Sequence, residues 1–215
     1  MTDIKILLDA ITINTHSSIR FAWDDMVYYV DPFQITEEAH DADFVLFTHD
    51  HFDHFDPDSI EKIINEYTLF VCPAPMEAQV KAAVGSHDVI PVVPDEFYED
   101  GPMEFDTVPA YNIDKDFHPE VAGWVGYVFH LGEFRLYIAG DTDATDEAKD
   151  VSADVAMIPV GGTYTMTPEE AAELINEMAP EVAIPTHYGT VAGSPDDGKT
   201  FAALVDEGTQ VVFKL

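Results

Sequence analysis

Thr48-His49-Asp50-His51-Phe52-Asp53-His54 is the stretch on which the reading of this chain turns. Three of the nine histidines fall inside it, and Asp53 adds a carboxylate. It follows Phe44-Val45-Leu46-Phe47, a continuous apolar run of the kind that forms a buried strand. The cluster therefore sits where a strand ends and a loop begins. Such a place holds several imidazoles and a carboxylate rigidly at one point, which is what a metal site needs. A solvated polar loop is the plainer alternative, but it gives no reason for so many potential ligands in one turn.

The same pattern, an apolar run with a polar residue at its end, recurs downstream. Residues 134–139 run into Gly140-Asp141-Thr142-Asp143, and residues 182–185 into Thr186-His187-Tyr188-Gly189. Residues 103–108 lead to Tyr111-Asn112 and then His118-Pro119. If these strand ends share one edge, their side chains converge, and their number suffices for two metal ions.

Around these points the first half reads as strand-rich, with short apolar or alternating runs at residues 4–8, 11–14, 19–23 and 26–30 closed by Asp31-Pro32. Asp56-Pro57 opens a helix to about residue 65, with the aspartate as N-cap and proline in the first turn. Residues 68–71 read as a strand and 75–84 as a helix ended by Gly85. Residues 89–93 and 103–108 read as strands separated by an acidic turn, and residues 124–131 and 134–139 as a hairpin around Gly132. Residues 154–159 form another buried strand. Thr167-Pro168-Glu169-Glu170 is a capping box with proline at the first helical position. A strand at 182–185, a helix at 195–207 and a strand at 210–213 follow. Two sheets facing each other with helices outside would bury these patterns.

The set resembles the metallo-β-lactamase-fold superfamily of metal-dependent hydrolases. His49, His51, Asp53 and His54 complete the pattern HxHxDH, Gly140-Asp141 resembles the later aspartate motif, and His187 the final histidine. Within the superfamily the chain is most similar to the group containing L-ascorbate-6-phosphate lactonase, the UPF0173 hydrolases and N-acyl phosphatidylethanolamine phospholipase D. The supporting stretches are His16-Ser17-Ser18-Ile19-Arg20, Tyr29-Val30-Asp31-Pro32, Ala139-Gly140-Asp141-Thr142, Pro159-Val160-Gly161-Gly162-Thr163 and Pro185-Thr186-His187-Tyr188-Gly189.

The resemblance implies an α+β fold, a four-layered αββα sandwich of two mixed β-sheets with outer helices, as a single domain over residues 1–215. It implies two divalent metal ions, zinc first, with manganese and iron as alternatives. His49, His51 and a third histidine would bind one ion, Asp53, His54 and His187 the other, and Asp141 would bridge them. Asp53 would also orient the nucleophile, so Asp53 and Asp141 are the expected catalytic carboxylates. In relatives the third histidine closely follows a Pro-Ala pair; here Pro109-Ala110-Tyr111 is followed by Asn112. His118 is the expected ligand, with Asn112 or water as the alternative. His16 is either a residue beneath the site that orients ligands or a hydrogen-bonded core histidine. Tyr164 and Tyr188 are either oxyanion donors or packed aromatics, and Lys115 is either a partner for an anionic substrate or a solvated lysine. His40, His87 and His130 read as surface or structural.

The implied activity is hydrolysis of an ester, lactone or phosphodiester in a small molecule. An iron-dependent oxidoreductase of the same fold and a non-catalytic metal-binding module are the alternatives.

Charge narrows the partners. Lys and Arg number 9 against 42 Asp and Glu, a formal net charge of −33. Nucleic acid is not expected as a substrate, because phosphate backbones demand clustered basic residues. The acids interleave with core-like segments, so disorder does not follow. Self-repulsion on this scale points to a protein adapted to molar salt. No apolar run approaches a membrane span, and the first residues lack the features of a signal peptide. With Cys72 the lone cysteine, the expected location is a high-salt cytoplasm.

Overall fold

The computed structural model describes residues 3–215, which divide into two compact units: residues up to Val92 together with Leu215, and Val93–Lys214. Each carries its own mixed β-sheet and helices, so the chain is α+β.

The first unit opens with helix α1 (Ile4–Ala10), where the apolar alternation predicted a strand. The reason is local. Asp3 caps the helix by accepting from the Lys5 amide at 3.0 Å, and Lys5 pairs with Asp9 one turn on at 2.8 Å. Of the helix only Leu7 is buried, so no sheet face is formed. Strands β1 (Ile11–Ile13), β2 (Ile19–Trp23), β3 (Met26–Val30) and β4 (Ala42–Leu46) follow, then α2 (Pro57–Ile63), β5 (Ile64–Pro73), α3 (Glu77–Val84) and β6 (Val89–Val92). Asp56 caps α2 as expected, and Gly85 ends α3 at φ 69°, a conformation costly for other residues. The six strands lie in the order β1-β2-β3-β4-β5-β6. The pairs β1–β2 and β2–β3 are antiparallel and the later pairs parallel. It follows that β1, β3, β4, β5 and β6 all run the same way. On one face Phe47, Phe55, Ile60, Phe70 and Val80 form a buried cluster. The aromatic rings of Phe21, Tyr28 and Phe44 stack with centroids 4.6 and 4.9 Å apart. Each such fully buried side chain contributes about 1.5–3 kcal/mol.

The second unit contains β7 (Phe97–Asp100), β8 (Met103–Pro109), β9 (Val125–Leu131), β10 (Phe134–Ile138), α4 (Asp146–Lys149), β11 (Val155–Pro159), α5 (Pro168–Met178), β12 (Val182–Thr186), α6 (Asp197–Leu204) and β13 (Gln210–Val211). The seven strands are ordered β13-β12-β11-β10-β9-β8-β7. Neighbours from β7 to β10 are antiparallel, and from β10 to β13 parallel. So β8, β10, β11 and β12 share a direction. Strand β7 and the short helix α4 were not expected: β7 falls in the acidic stretch read as a turn. The capping box of α5 is present, with the Thr167 hydroxyl accepting from the Glu170 amide. No helix among the described residues is long and apolar enough to cross a membrane.

Candidate metal centre

The strand directions decide where the chemistry lies. In the first unit, His16 follows β1, Asp31 follows β3, and Thr48 to His54 follow β4, so all three segments leave the carboxyl edge of one sheet. His16 and Asp31 turn the chain there with φ of 54° and 49°, left-handed values that His and Asp tolerate better than most residues. His16, Asp31, His49, Asp53 and His54 are all buried, and His51 is half-buried.

Asp31 organises this cluster. Its Oδ1 accepts from the Thr48 amide at 2.8 Å, and its Oδ2 accepts from the Thr48 hydroxyl at 2.6 Å and from His54 Nδ1 at 2.7 Å. The Thr48 oxygen, its proton already given to Asp31, accepts from His49 Nδ1 at 2.9 Å. Both imidazoles are thereby fixed as Nδ1–H tautomers with the Nε2 lone pair available for a cation. Their ring centroids lie 4.0 Å apart, and His49 and His51 lie 4.7 Å apart. One potential ligand atom from each of Asp31, His49 and His54 falls within 4.8 Å of the others. Burial pushes the Asp31 carboxyl above the ordinary range, against the opposing pull of His54 and Thr48. His16 Nε2 lies 3.1 Å from Asp53 Oδ2, so His16 holds that carboxylate. The turn itself is closed by the His51 carbonyl, which accepts from the amides of His54 and Phe55.

In the second unit, Asp141 follows β10 and His187 follows β12, while the loop after β8 carries Asn112 and His118, again all at one carboxyl edge. Asp141, His118 and His187 are buried. Asp141 Oδ2 lies 2.9 Å from His187 Nε2 and 3.3 Å from His118 Nε2. His118 Nδ1 donates to Asn112 Oδ1 at 3.1 Å, an oxygen that can only accept. The His118 lone pair is then on Nε2, turned toward a carboxylate oxygen. That contact is favourable only with a positive charge, a proton or a metal cation, between the two. The donor set, imidazole nitrogens and carboxylate oxygens, suits zinc, manganese or iron.

Both ends of the Asn112 amide are engaged by hydrogen bonds. Its Oδ1 also accepts from the His118 amide at 3.0 Å, and its Nδ2 donates to Asp143 Oδ1 at 3.1 Å and to the Tyr164 carbonyl at 3.0 Å. Lys115 is not the solvated lysine of the plainer reading. Its ammonium donates to Asp143 Oδ1 at 2.6 Å, with the side chain 19% exposed. Tyr188 is buried, and a β-carbon on Gly198 of α6 would fall 2.7 Å from its hydroxyl oxygen. Tyr164 is partly exposed and meets Phe117 edge-on, centroids 4.7 Å apart. The remaining histidines serve structure: His40 contacts the Ile64 carbonyl, His87 those of Val84 and Asn65, and His130 the Asp106 carboxylate. Cys72 is buried, which pushes its thiol up to about 12 and leaves it inert.

Three contributors escaped the sequence reading: Asp31 and Thr48 in the first cluster, and Asp143 in the second. Asp31 and Asp143 lie in the motifs Asp31-Pro32 and Gly140-Asp141-Thr142-Asp143. The available signal was a carboxylate placed directly after a buried strand, as for Asp141.

A family profile described as a beta-lactamase superfamily domain matches residues 10–187. The chain belongs to that superfamily. A UPF0173 metal-dependent hydrolase of Methanopyrus kandleri is 32% identical over 89% of this chain and 89% of its own length. Among solved structures, a Parabacteroides distasonis protein provisionally named a metal-dependent hydrolase is 29% identical. It covers 95% of this chain and 92% of its own, with a TM-score of 0.79. The metallo-β-lactamase fold protein YhfI of Bacillus subtilis shares the fold at 16% identity and a TM-score of 0.74, covering 94% of each chain. The two mixed sheets with their helices are thus those of the metallo-β-lactamase fold.

Proposed function

We propose that the chain is a metal-dependent hydrolase working as one metallo-β-lactamase-like domain over residues 1–215. In this reading His49, His51 and His118 would hold one divalent ion and Asp53, His54 and His187 a second, with Asp141 serving both. The observation that carries it is the Asp141 carboxylate oxygen set against two imidazole Nε2 atoms, one of them fixed as the unprotonated nitrogen by Asn112. The superfamily match over residues 10–187 supports the hydrolase reading.

When bound, such ions act as Lewis acids and make water a nucleophile at neutral pH. The chain's own residues do the rest. Asp31 and Thr48 hold His49 and His54 in the ligating tautomer, Asn112 does so for His118, and His16 fixes the Asp53 carboxylate. Asp53, so held, would orient the nucleophilic water in this reading. Zinc is the first choice of metal.

The substrate proposed is a carboxylic ester or lactone rather than a phosphodiester. Lys115 is the lysine of the His118 loop, and Asp143 already neutralises it. An anionic substrate would have to displace that contact and approach a chain of net charge −33. The test is a panel of neutral esters, lactones and phosphodiesters offered to the zinc-loaded and chelated protein. Zinc-dependent turnover of the esters or lactones supports the reading, and full turnover by the chelated protein contradicts it. We further propose that the acidic composition adapts the protein to molar salt in a cytoplasm.

A further inference from the structure

We propose that Asp143 is a positioning residue, a latch that closes the loop from Asn112 to His118 and so sets His118. Asp141 and His187 stand within a few residues of the strands that place them, whereas His118 lies well beyond the end of β8. Something other than the strand must therefore fix it. Packing fixes only its far end: the His118 ring is buried against Trp124, centroids 5.5 Å apart, whereas Ile113 and Phe117 earlier in the loop are 65% and 46% exposed. A segment with so little buried apolar surface belongs to the low-stability part of a fold unless polar contacts hold it.

Apart from the Asn112 bond to the Tyr164 carbonyl, those contacts converge on Asp143. Its Oδ1 accepts from Asn112 Nδ2 at 3.1 Å and from the Lys115 ammonium at 2.6 Å, and its Oδ2 accepts from the Ile113 amide at 2.9 Å. Asp143 is itself anchored, its amide donating to the Tyr111 carbonyl and its carbonyl accepting from the Thr145 amide, both at 2.9 Å. The loop closes on itself where the Asn112 amide donates to the His118 carbonyl at 2.7 Å and the His118 amide to Asn112 Oδ1 at 3.0 Å. Asn112 thus transmits the position of Asp143 to both the backbone and the ring of His118. The Asp143–Lys115 pair is largely removed from solvent, with side chains 7% and 19% exposed. A charge-assisted contact in that setting is stronger than a surface pair, and losing one partner leaves the other charge poorly solvated.

The part of this proposal that concerns metal rests on His118 being a ligand, and the experiment separates the two. Hydrogen exchange of the peptide covering residues 112–118 is measured in the metal-free full chain. Zn2+ affinity is measured by chelator competition, and the visible spectrum is recorded on the Co2+-loaded protein. Asp143→Ala is expected to accelerate exchange in that peptide, to weaken Zn2+ binding by about 10- to 100-fold and to change the Co2+ spectrum. Asp143→Asn, which keeps an acceptor for the Ile113 amide but loses the ion pair, and Lys115→Met are expected to fall between it and the wild type. These two decide the matter if Asp143→Ala does not fold. Wild-type exchange in both, with Zn2+ affinity within about twofold of the wild type, overturns the latch. A wild-type protein that takes up no Zn2+ overturns the metal reading instead, and the exchange measurement alone then upholds or overturns the latch.

Discussion

A β-carbon on Gly161 would fall 2.1 Å from the carbonyl oxygen of His187, far inside any tolerable contact. Gly161 follows β11, the strand beside β12, and its bare Cα lets the backbone of His187 lie against it. Gly193 packs there for the same reason, since its β-carbon would meet Gly161 Cα at 2.8 Å. Gly161→Ala must therefore push the His187 turn away. We expect a loss of about 1–3 kcal/mol in stability and a fall of about 100-fold in kcat/KM, measured by chemical denaturation and steady-state kinetics. Wild-type kinetics in a folded variant would show that the His187 backbone need not sit where the structure puts it.

Asp31 touches no substrate in this account, yet its removal should weaken metal binding. Asp31→Ala leaves the buried Thr48 amide and hydroxyl without their acceptor and frees the tautomers of His49 and His54. The expected cost is about 1–3 kcal/mol in stability and about 10- to 100-fold in metal affinity. Chelator competition and denaturation on the same preparation check both. An unchanged affinity would mean that the hydrogen-bond network does not orient the ligands.

His51→Ala and Asp141→Ala remove proposed ligands themselves. Each should lower kcat by two or more orders of magnitude while the far-ultraviolet spectrum stays native. Retained activity in either would remove that residue from the machinery.

Salt should stabilise the fold. At a net charge of −33 the chain repels itself, and the screening length shortens from about 10 Å at 0.1 M to about 3 Å at 1 M. Tm is expected to rise steadily from dilute to molar KCl, as thermal scans at fixed pH would show. A flat or falling Tm would contradict the adaptation to high salt.

What was legible in the chain was chiefly the strand ends. The apolar run before Thr48 and the runs before Asp141 and His187 became β4, β10 and β12, and the turn chemistry of Asp56-Pro57 and Thr167-Pro168 marked α2 and α5. These signals are local, and periodicity and capping report them directly. The misses have physical causes. Residues 4–8 alternate like a strand, but an aspartate cap and an i,i+4 ion pair make them helical. Strand β7, Phe97–Asp100, is acidic and mostly exposed, and pairs at the sheet edge with β8 without a buried face to announce it. Asp31 and Asp143 owe their importance to partners far away in sequence: Asp31 to Thr48 and His54, Asp143 to Asn112 and Lys115. No local pattern carries such pairings. The displaced histidine is the clearest case. Its distance from Pro109-Ala110 was visible, but the hydrogen bonds that bring it to Asp141 appear only in three dimensions.

The central claim is that these histidines and carboxylates grip metal. Elemental analysis of the wild type and of Asp141→Ala, both purified in molar KCl and exhaustively exchanged against metal-free buffer, tests it most directly. About two divalent ions per wild-type chain and a clear loss in the variant are expected. A wild-type protein that retains no metal, or an Asp141→Ala variant that retains the full complement, would contradict it.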